Sequence, residues 1–409
     1  MSTAPTAPPA TRPIVDEPVP QPKRWGAEEL ARLATMVDQT SLFYWKGPQT
    51  TALLEEFQKH YPLKYCFPCS SGTASLHIAV AALKLRPGDE VIVSPITDMG
   101  SVIGILYQQG VPVFADLDPR SYNLDPADVR RKMTSKTRAI MAIHLAGNAC
   151  DLTALSAIAQ EHKAALIEDC AQSWGARHRG TPVGLVGDFG CYSFNDFKHV
   201  ACGDGGIVAT NREDLGPGLS KWGDKSYDRV NGGRAPEELA PNYRMSEPQS
   251  AVAAAQLTKL ADIVARRNHA GTYLTSLLAD APGFHAPNVD ARDTHSYWFY
   301  MARLDLKRFK VSRAEVGAAL NAEGVIVGGG YIPTTVYQYP VFKNHNFFGG
   351  TWPARDFGAT NMDYRDVSCP VAEAIIDDCL TFRLNEAMSD AYLEKVARAV
   401  VTVTKRLAK

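Results

Sequence analysis

The chain has 409 residues, of which 45% are apolar and 21% are charged, an ordinary composition for a soluble globular protein. This length is greater than a single core requires, and it predicts a large domain together with a smaller second domain. The 43 Lys and Arg residues nearly balance the 44 Asp and Glu residues. Because there is no global basic field, neither nucleic acid nor an anionic membrane is expected as a partner.

The first residues of the chain predict an arm rather than a folded element. Residues 1–22 are rich in Pro, Thr and Ala and contain no apolar run. Neither a signal peptide nor a membrane span is predicted from such a stretch, and the cytoplasm is the expected compartment. We therefore predict a partly mobile N-terminal arm over residues 1–28.

From about residue 50, apolar helical stretches alternate with short β-rich runs. The predicted strands are Tyr65–Cys69, Glu90–Ser94, Pro112–Ala115, Ala139–His144, Ala165–Glu168, Gly190–Phe194 and Gly206–Thr210. The helices predicted between several of them are Thr73–Leu85, Gly100–Gln109, Pro126–Met133 and Leu152–Glu161. The alternation predicts an α/β domain with a mostly parallel sheet flanked by helices. The later strands follow one another without helices, so an antiparallel or edge strand is expected there.

The pattern changes after about residue 250. Ser246–Ile263 is predicted as one long Ala-rich helix that can continue through Arg267. A strand near Ser296–Arg303 and a closing helix near Ser389–Lys405 indicate a second, smaller α+β region. The predicted organisation is a large α/β domain over residues 29–265 and a smaller C-terminal domain over residues 266–409.

The cysteines and histidines do not form metal-ligand patterns. Of the eight Cys residues, only Cys66 and Cys69 are spaced as CxxC, without a second pair at the spacing of a zinc site. Buried, reduced thiols are therefore favoured over zinc or redox chemistry. The ten His residues contain no HxxxH or HxH pair, and His199 is interpreted either as a packing residue or as a residue that supports the site from behind Lys198. No metal site is predicted.

The first motif that could carry chemistry is Cys69-Ser70-Ser71-Gly72-Thr73-Ala74, where a predicted strand meets a predicted helix. The unpaired amides and the positive dipole end of a first helical turn form a ready phosphate site. Taken alone, the motif is explained better by an ordinary helix cap.

The second motif ends a buried apolar strand with the acidic pair Glu168-Asp169. Open α/β sheets bind their ligands at the carboxyl ends of the strands. A carboxylate there can hold a proton on a pyridine nitrogen. A helix-capping Asp explains the motif equally well.

The third motif places Lys198 between an aromatic strand and the glycine-rich turn Gly203-Asp204-Gly205-Gly206. A lysine on a constrained, partly apolar loop can have its neutral amine favoured, as imine formation requires. A solvated surface lysine is the alternative that these surroundings disfavour.

Together and in this order, the motifs resemble those of the DegT-type sugar aminotransferases, a branch of the fold type I pyridoxal-phosphate enzymes. The resemblance covers about residues 30–265 and weakens in the C-terminal third. It rests on Ser71-Gly72-Thr73-Ala74-Ser75-Leu76, residues 112–118, Ile167-Glu168-Asp169-Cys170-Ala171-Gln172, Ser193-Phe194 with Lys198, residues 203–206, and Asn242-Tyr243-Arg244-Met245-Ser246-Glu247.

The resemblance implies pyridoxal 5′-phosphate as the cofactor and assigns a role to each matching residue. Lys198 would hold the cofactor as a Schiff base and move protons during catalysis. Asp169 would pair with the ring nitrogen, and Gln172 would lie near the ring hydroxyl. The remaining cofactor contacts would come from Ser71, Gly72, Thr73 and Ser193. Asn242 would reach the phosphate of the neighbouring subunit's cofactor, which implies a homodimer with shared active sites.

Two positions depart from the family pattern. Where the family commonly stacks an aromatic ring on the cofactor, this chain has Met99 at or beside the expected position. A thioether can cover a ring face, so either Met99 or another residue takes this role. The turn from Lys198 to Gly203 is one residue shorter than in most members that act on nucleotide sugars. It is similar to the branches that act on inosose-type cyclitols and to the aminohydroxybenzoate synthases.

The predicted function is transfer of an amino group from L-glutamate or L-glutamine to a keto-sugar or keto-cyclitol. One alternative is a lyase or dehydratase of the aminohydroxybenzoate-synthase type, and another is a non-catalytic regulatory relative. Arg229 is a candidate for binding a donor carboxylate, although a solvated arginine is favoured. The loop Gly328-Gly329-Gly330-Tyr331 is a candidate for the substrate entrance.

Overall fold

The computed structural model describes residues 12–409, and its larger sheet places the predicted motifs along one edge. Its strands, in chain order, are β1 (Tyr65–Cys69), β2 (Glu90–Val93), β3 (Val111–Phe114), β4 (Thr137–Ile143), β5 (Ala165–Asp169), β6 (Arg177–His178), β7 (Thr181–Pro182), β8 (Phe189–Ser193), β9 (Gly206–Thr210), β10 (Phe284–His285), β11 (Tyr300–Leu304), β12 (Val327–Gly328) and β13 (Cys379–Phe382).

The helices pack on both sheets and connect their strands. They are α1 (Ala27–Ala34), α2 (Pro48–His60), α3 (Gly72–Ala82), α4 (Gly100–Tyr107), α5 (Pro126–Lys132), α6 (Leu152–His162), α7 (Leu219–Gly223), α8 (Glu247–Leu257), α9 (Leu260–Leu277), α10 (Arg313–Ala322), α11 (Pro340–Lys343), α12 (Pro353–Asp356), α13 (Pro370–Asp378) and α14 (Asp390–Leu407). None of the helices in residues 12–409 combines the length and apolar character needed to cross a bilayer.

The larger sheet has seven strands in the order β1-β9-β8-β5-β4-β2-β3. Pairing is parallel between β3, β2, β4, β5 and β8, and antiparallel on both sides of β9. The mostly parallel α/β fold predicted from the sequence is therefore confirmed. The expected antiparallel strand is β9, which lies inside the sheet rather than at its edge. The central strands β5, β8 and β9 are buried throughout, as strands covered by helices should be, and the edge strand β3 is buried as well.

This topology brings several chain segments to the same edge of the sheet. Strands β1, β5 and β8 run in the same direction and end at Cys69, Asp169 and Ser193. The loop after β2 and the start of β9 adjoin this edge. Open α/β sheets bind ligands at such a carboxyl edge because several loops converge there.

The prediction of one long helix over residues 246–263 was wrong. Helix α8 ends at Leu257 and α9 begins at Leu260. At the break, the Thr258 hydroxyl donates to the Ala255 carbonyl at 2.7 Å, a local bond that competes with the helical ladder. The next residue, Lys259, is held by Glu29 at 2.6 Å.

The second sheet is antiparallel throughout, in the order β10-β11-β13-β12. It has its own apolar core, which it shares with α10 and α14. Helix α9 contributes Leu260 and Val264 to the first core but Ala270 and Leu274 to the second. The domain limits 29–265 and 266–409 stay a prediction, because α9 runs through the boundary as one helix.

Residues 12–25, which we call the N-terminal strap, lie against the second core and then reach the first sheet. Val15 is 3% exposed, and its amide donates to the Glu323 carbonyl at 2.9 Å. Lys395 binds Asp16 and Glu17 at 3.0 and 2.8 Å. The described part of the predicted arm therefore has a packed position, and residues 1–11 lie outside the described residues.

Candidate active site

The amino terminus of α3 presents free backbone amides to the carboxyl edge of the sheet. Ser71 is the N-cap, and its hydroxyl accepts a hydrogen bond from the Ala74 amide at 3.0 Å. Among residues 12–409, the Gly72 and Thr73 amides have no hydrogen-bond acceptor. Together with the helix dipole, they form a site for a phosphate or another anion.

Gly72 allows α3 to approach the end of β8 closely. A Cβ atom at this position would lie 2.7 Å from the Ser193 Cβ and 3.0 Å from its Oγ. Ser193 is itself fixed, since its carbonyl accepts from the Trp174 indole at 2.8 Å and its hydroxyl accepts from the Asn195 amide at 3.2 Å. The hydroxyl of Ser193 is thus held beside the free amides of α3.

Asp169 is buried at the end of β5, where two hydrogen bonds orient its carboxylate. The Ser101 hydroxyl donates to Oδ2 at 2.8 Å, and the Ala171 amide donates to Oδ1 at 3.0 Å. Burial raises the pKa of Asp169, although both hydrogen bonds and the Lys198 charge oppose that rise. A buried carboxylate of this kind gains from a cation placed against it.

Lys198 lies on the loop that joins β8 to β9. Two backbone bonds close the base of this loop, from the Cys202 amide to the Phe194 carbonyl and from the Phe194 amide to the Gly205 carbonyl. The Trp298 indole donates to the Phe197 carbonyl at 2.6 Å. Arg24, at the end of the N-terminal strap, donates to the carbonyls of Asp196 and Lys198. The backbone of the lysine is therefore held from three directions.

The Lys198 amine is half-buried and lies over an aromatic ring. Its Nζ is 3.6 Å from the centre of the Trp298 ring. Burial lowers the pKa of Lys198 to about 8, while the carboxylates of Asp169 and Asp98 act in the opposite direction. A larger share of the amine is consequently neutral near physiological pH than for an exposed lysine, as a nucleophile requires.

These groups surround one cavity of about 540 Å³. Gln172 is part of its wall, and its side chain is fixed because Oε1 accepts from the Ala146 amide at 2.9 Å. The full lining is Ser71, Gly72, Thr73, Leu76, Thr97, Asp98, Gly100, Ser101, Asp169, Ala171, Gln172, Ser193, Asn195, Phe197, Lys198, Asp204, Trp298 and Tyr331. Seven of the nine residues predicted for the site thus lie around the same space.

Met99 and Asn242 do not line this cavity. Met99 is half-buried and packs against the apolar core, whereas its neighbour Asp98 faces the cavity. The structure therefore gives no support to the prediction that Met99 covers the cofactor ring. Asn242 is exposed, and its Oδ1 accepts from Arg244 Nε at 2.7 Å.

Several cavity residues were not found by sequence reasoning. Trp298 comes from the C-terminal third, and Asp98 and Ser101 come from the loop after β2. Asp98-Met99-Gly100 could have been found as a turn signal, since the Gly100 amide donates to Asp98 Oδ1 at 2.8 Å. The loop that ends at Tyr331 had been considered as a substrate entrance, and Tyr331 does reach the cavity.

Arg229 is occupied within its own chain. Its Nε donates to the buried carboxylate of Asp224 at 2.6 Å, and Tyr44 donates to the same oxygen at 2.6 Å. The guanidinium is therefore not the solvated surface group that the sequence favoured, and it does not line the cavity of its own chain. Binding of a donor carboxylate by Arg229 stays a prediction.

His144, Glu168 and Cys170 lie close together in the core. Glu168 accepts from His144 Nε2 at 3.1 Å and from the amides of Gly184, Val186 and Gly187 at 2.6 to 2.9 Å. His144 Nδ1 accepts from the Cys150 amide at 3.0 Å. The His and Glu lone pairs are therefore already used in hydrogen bonds that support the strand before Asp169.

The residues present fit the pyridoxal phosphate that the resemblance implies. The free amides of α3 with the Ser193 hydroxyl suit its phosphate, and the absence of a Cβ at Gly72 leaves that corner open. Asp169 is a buried carboxylate suited to a protonated ring nitrogen. Lys198 is an amine of lowered pKa in the same cavity.

Comparison with known proteins identifies the family of the chain. A model of the DegT/DnrJ/EryC1/StrS aminotransferase family matches residues 24–401. The spore coat polysaccharide biosynthesis protein SpsC of Bacillus subtilis is 30% identical over 391 residues, covering 93% of this chain and 95% of the relative. A putative L-glutamine:3-amino-2,3-dideoxy-scyllo-inosose aminotransferase of Micromonospora echinospora is 32% identical over 376 residues, covering 90% and 88%.

A solved structure shares both the fold and a related chemistry. The structure of S. venezuelae DesV in complex with a ketimine intermediate superimposes with a TM-score of 0.80 at 26% identity, covering 93% of this chain and 95% of that one. With the family match over most of the sequence, this agreement shows that the chain belongs to the DegT/DnrJ/EryC1/StrS aminotransferase family and is a pyridoxal-phosphate-dependent aminotransferase.

Proposed function

We propose that the enzyme moves an amino group from L-glutamine or L-glutamate to a keto-sugar or keto-cyclitol. The observation that carries this proposal is the convergence of Lys198 and Asp169 on one cavity beside the free amides of α3. An amine, a buried carboxylate and an anion site in one space are the groups that this cofactor chemistry requires.

Each residue has a defined task in the proposal. The cofactor, when bound, supplies an aldehyde that carries the amino group and a ring that draws electrons from the substrate carbon. Lys198 holds the cofactor covalently and, once released, moves a proton to and from the substrate carbon. Asp169 keeps a proton on the ring nitrogen, and the Ser101 hydroxyl orients its carboxylate.

The remaining residues bind and orient. The amides of Gly72 and Thr73, with the hydroxyls of Ser71, Thr73 and Ser193, hold the phosphate. Gln172 is proposed to lie beside the ring hydroxyl. Trp298 and Tyr331 form the aromatic wall of the cavity and limit the access of water to the reacting nitrogen.

The substrate class rests on the relatives and on the cavity. The Micromonospora echinospora relative is described as using L-glutamine and an amino-inosose, and another relative, from Caulobacter vibrioides, as a GDP-perosamine synthase. The cavity wall carries hydroxyls, amides and carboxylates beside the aromatic side chains of Phe197, Trp298 and Tyr331. Such a wall suits a polyhydroxylated ring, which presents both hydroxyls and C–H faces.

The exposure of Asn242 supports a shared site. Its side chain lies outside the cavity of its own chain, and we propose that it contacts the cofactor phosphate of a second copy. Beside it, the Arg244 guanidinium covers the ring of Phe43, which is 41% exposed. A large exposed aromatic residue next to a polar group is common where a partner binds.

Half-reactions test the proposal. The purified holoenzyme is mixed with single amino acids, and the visible absorbance of the lysine-bound cofactor is followed. We expect L-glutamine or L-glutamate to remove this absorbance and a keto-sugar or keto-cyclitol to restore it. Turnover of a keto substrate without any amino donor would instead support a lyase.

Two variants control this experiment. Lys198→Ala should lack the lysine-bound absorbance, whereas Lys310→Ala, which alters an exposed lysine outside the cavity, should retain it. An unchanged spectrum in Lys198→Ala would contradict the assignment of the lysine. A wild-type enzyme without the absorbance at saturating cofactor would support a non-catalytic relative.

A further inference from the structure

We propose that Asp98 is a specificity-determining residue that recognises an ammonium group carried by the acceptor. This inference deepens the proposed function and rests on it, since it concerns the acceptor that occupies the same cavity. The acceptor class that it identifies is an aminated keto-cyclitol or keto-sugar rather than a nucleotide-linked sugar.

Asp98 presents a free carboxylate oxygen to the cavity. One oxygen, Oδ1, accepts from the Gly100 amide at 2.8 Å. The other has no hydrogen-bond donor among residues 12–409, and the side chain is exposed within the cavity lining. The loop is held by a 2.7 Å hydrogen bond between the hydroxyls of Thr97 and Ser101, and Ser101 also binds Asp169. The carboxylate is thus placed at a fixed position relative to the catalytic groups.

The charges around the cavity favour a cation. The charged groups of its lining are Asp98, Asp169, Asp204 and Lys198, without Arg, His or a second Lys among the described lining residues. Asp169 is used by the cofactor, Lys198 holds it, and Asp204 accepts from Asn195 Nδ2 at 3.2 Å. An excess of carboxylates repels a diphosphate and attracts an ammonium group.

The aromatic wall fits the same ligand. The Trp298 ring already faces a cation, because the Lys198 Nζ lies 3.6 Å from its centre. Tyr331 meets Trp298 edge to face at 5.6 Å, and the bond from the indole to the Phe197 carbonyl fixes the orientation of Trp298. Aromatic faces together with a carboxylate are the usual surroundings of a bound ammonium group.

The field of Asp98 extends to the reacting nitrogen. The Asp98 carboxylate opposes the lowering of the Lys198 pKa, and it also contributes to the raised pKa values of Tyr331 and Tyr339. These effects agree with a carboxylate that faces the same space as Lys198 and the aromatic wall. A cationic substituent on an acceptor that reaches Lys198 would therefore come within the range of Asp98.

Paired acceptors test the inference. Steady-state kcat/KM is measured with L-glutamine and two keto-cyclitols that differ at one position, amino in one and hydroxyl in the other. We expect the wild type to prefer the amino compound by about 10- to 100-fold, the range for a hydrogen bond to a charged group. Asp98→Asn should remove most of this preference through a higher KM for the amino compound, and Asp98→Glu should retain part of it. Raising the pH above the pKa of the substrate amine should weaken the wild-type preference.

Two controls separate the role of Asp98 from damage to the site. The L-glutamine half-reaction of Asp98→Asn should convert the same fraction of the bound cofactor as in the wild type, even if its rate changes with the pKa of Lys198, which shows that the cofactor site is intact. Asp204→Asn, which removes another carboxylate from the same cavity, should keep the preference for the amino compound.

The outcomes that overturn the inference differ from those that overturn the function. A wild type that aminates both compounds equally, or an Asp98→Asn variant that loses activity on both alike, would overturn the role of Asp98 and leave the aminotransferase intact. A preference for a nucleotide-linked keto-sugar would also overturn it. Failure to aminate any keto-cyclitol or keto-sugar, despite a normal glutamine half-reaction, would contradict the proposed function itself.

Discussion

The pKa values of Lys198 and Asp169 are shifted in opposite directions by the same physical cause. Burial disfavours the charged form of each group, so it lowers the pKa of the amine and raises the pKa of the carboxyl group. For the amine, the result is a larger fraction of the neutral, nucleophilic form near physiological pH than an exposed lysine has. For the carboxylate, it is a group that gains stability when a cation binds beside it. Both effects prepare the site for a ligand that offers an aldehyde and a protonated ring nitrogen.

The pH dependence of cofactor capture follows from the lowered pKa of Lys198. Only the neutral amine attacks an aldehyde, so the rate of reconstitution of the apoenzyme should rise with pH and level off above a pKa of about 8. Stopped-flow absorbance measures this rate, and the reaction of a free amine in the same buffers corrects for ionisation of the cofactor. A rate that keeps rising past pH ~10, as expected for an ordinary lysine, would contradict the prediction.

Asp169→Asn should keep the fold and lose the reaction. The amide oxygen of Asn can still accept a hydrogen bond, but it cannot stabilise a proton on the ring nitrogen. We expect a fall in kcat of about 100-fold or more, with an unchanged circular dichroism spectrum. A variant that retained half of the wild-type kcat would show that the carboxylate is not needed at that place.

At the scale of elements, the anion site depends on how closely α3 approaches β8. Gly72→Ala would place a Cβ 2.7 Å from the Ser193 Cβ, so the helix or the strand end must shift. The resulting strain is of the order of 1–3 kcal/mol, which corresponds to at least a severalfold rise in the cofactor Kd. Equilibrium titration of the apoenzyme measures this change.

Gly218→Ala is the matched control for Gly72→Ala. Gly218 precedes α7 with a φ of −88°, and an added Cβ there would contact nothing within 4 Å. This variant should bind the cofactor as the wild type does. An equal effect of both substitutions would contradict the role of the close approach.

The N-terminal strap connects the second core to the loop that carries Lys198. Arg24 donates to the carbonyls of Asp196 and Lys198, and its own carbonyl accepts from Gln256 Nε2 at 2.7 Å. Arg24→Ala should loosen the lysine loop and lower kcat by about three- to tenfold. The visible spectrum of the bound cofactor should change with it, which a purely structural role would not require. Lys23→Ala, next to it and exposed, is the control. Equal effects of the two variants would contradict the role of Arg24.

At the scale of the whole molecule, the position of Asn242 leads to a test of the proposed dimer. If Asn242 acts across the interface, a hybrid of Lys198→Ala and Asn242→Ala subunits contains one complete site. Random mixing of the two variants in equal amounts should then restore about a quarter of the wild-type activity at limiting cofactor. Unchanged activity on mixing, with hybrid formation verified by mass, would contradict the shared site.

Much of the larger sheet and the main chemical groups could be predicted because their signals are local. Strand β1 is bounded as predicted at Tyr65–Cys69, and α6 is predicted to within one residue at its end. Asp169 ends one buried strand, and Lys198 lies in the loop after another. Because these strands run in the same direction, both residues lie at the same edge of the sheet. The predicted single helix over residues 246–263 failed because Lys259 is held by Glu29, about 230 positions earlier in the chain. The residue pattern of the helix itself carries no information about that contact.

The sequence alone determined the mostly parallel α/β fold and the position of α3, and it predicted Lys198 and Asp169 as site residues, because periodicity, turn residues and motif order act over short distances. The tertiary structure decided which side chain of the loop after β2 faces the cavity, since a shift of one residue exchanges Met99 for Asp98. It also brought Trp298, Tyr331 and Arg24 to the lysine from distant segments. Such contacts form only when the cores are packed, because each depends on the position of an element that the local sequence does not specify.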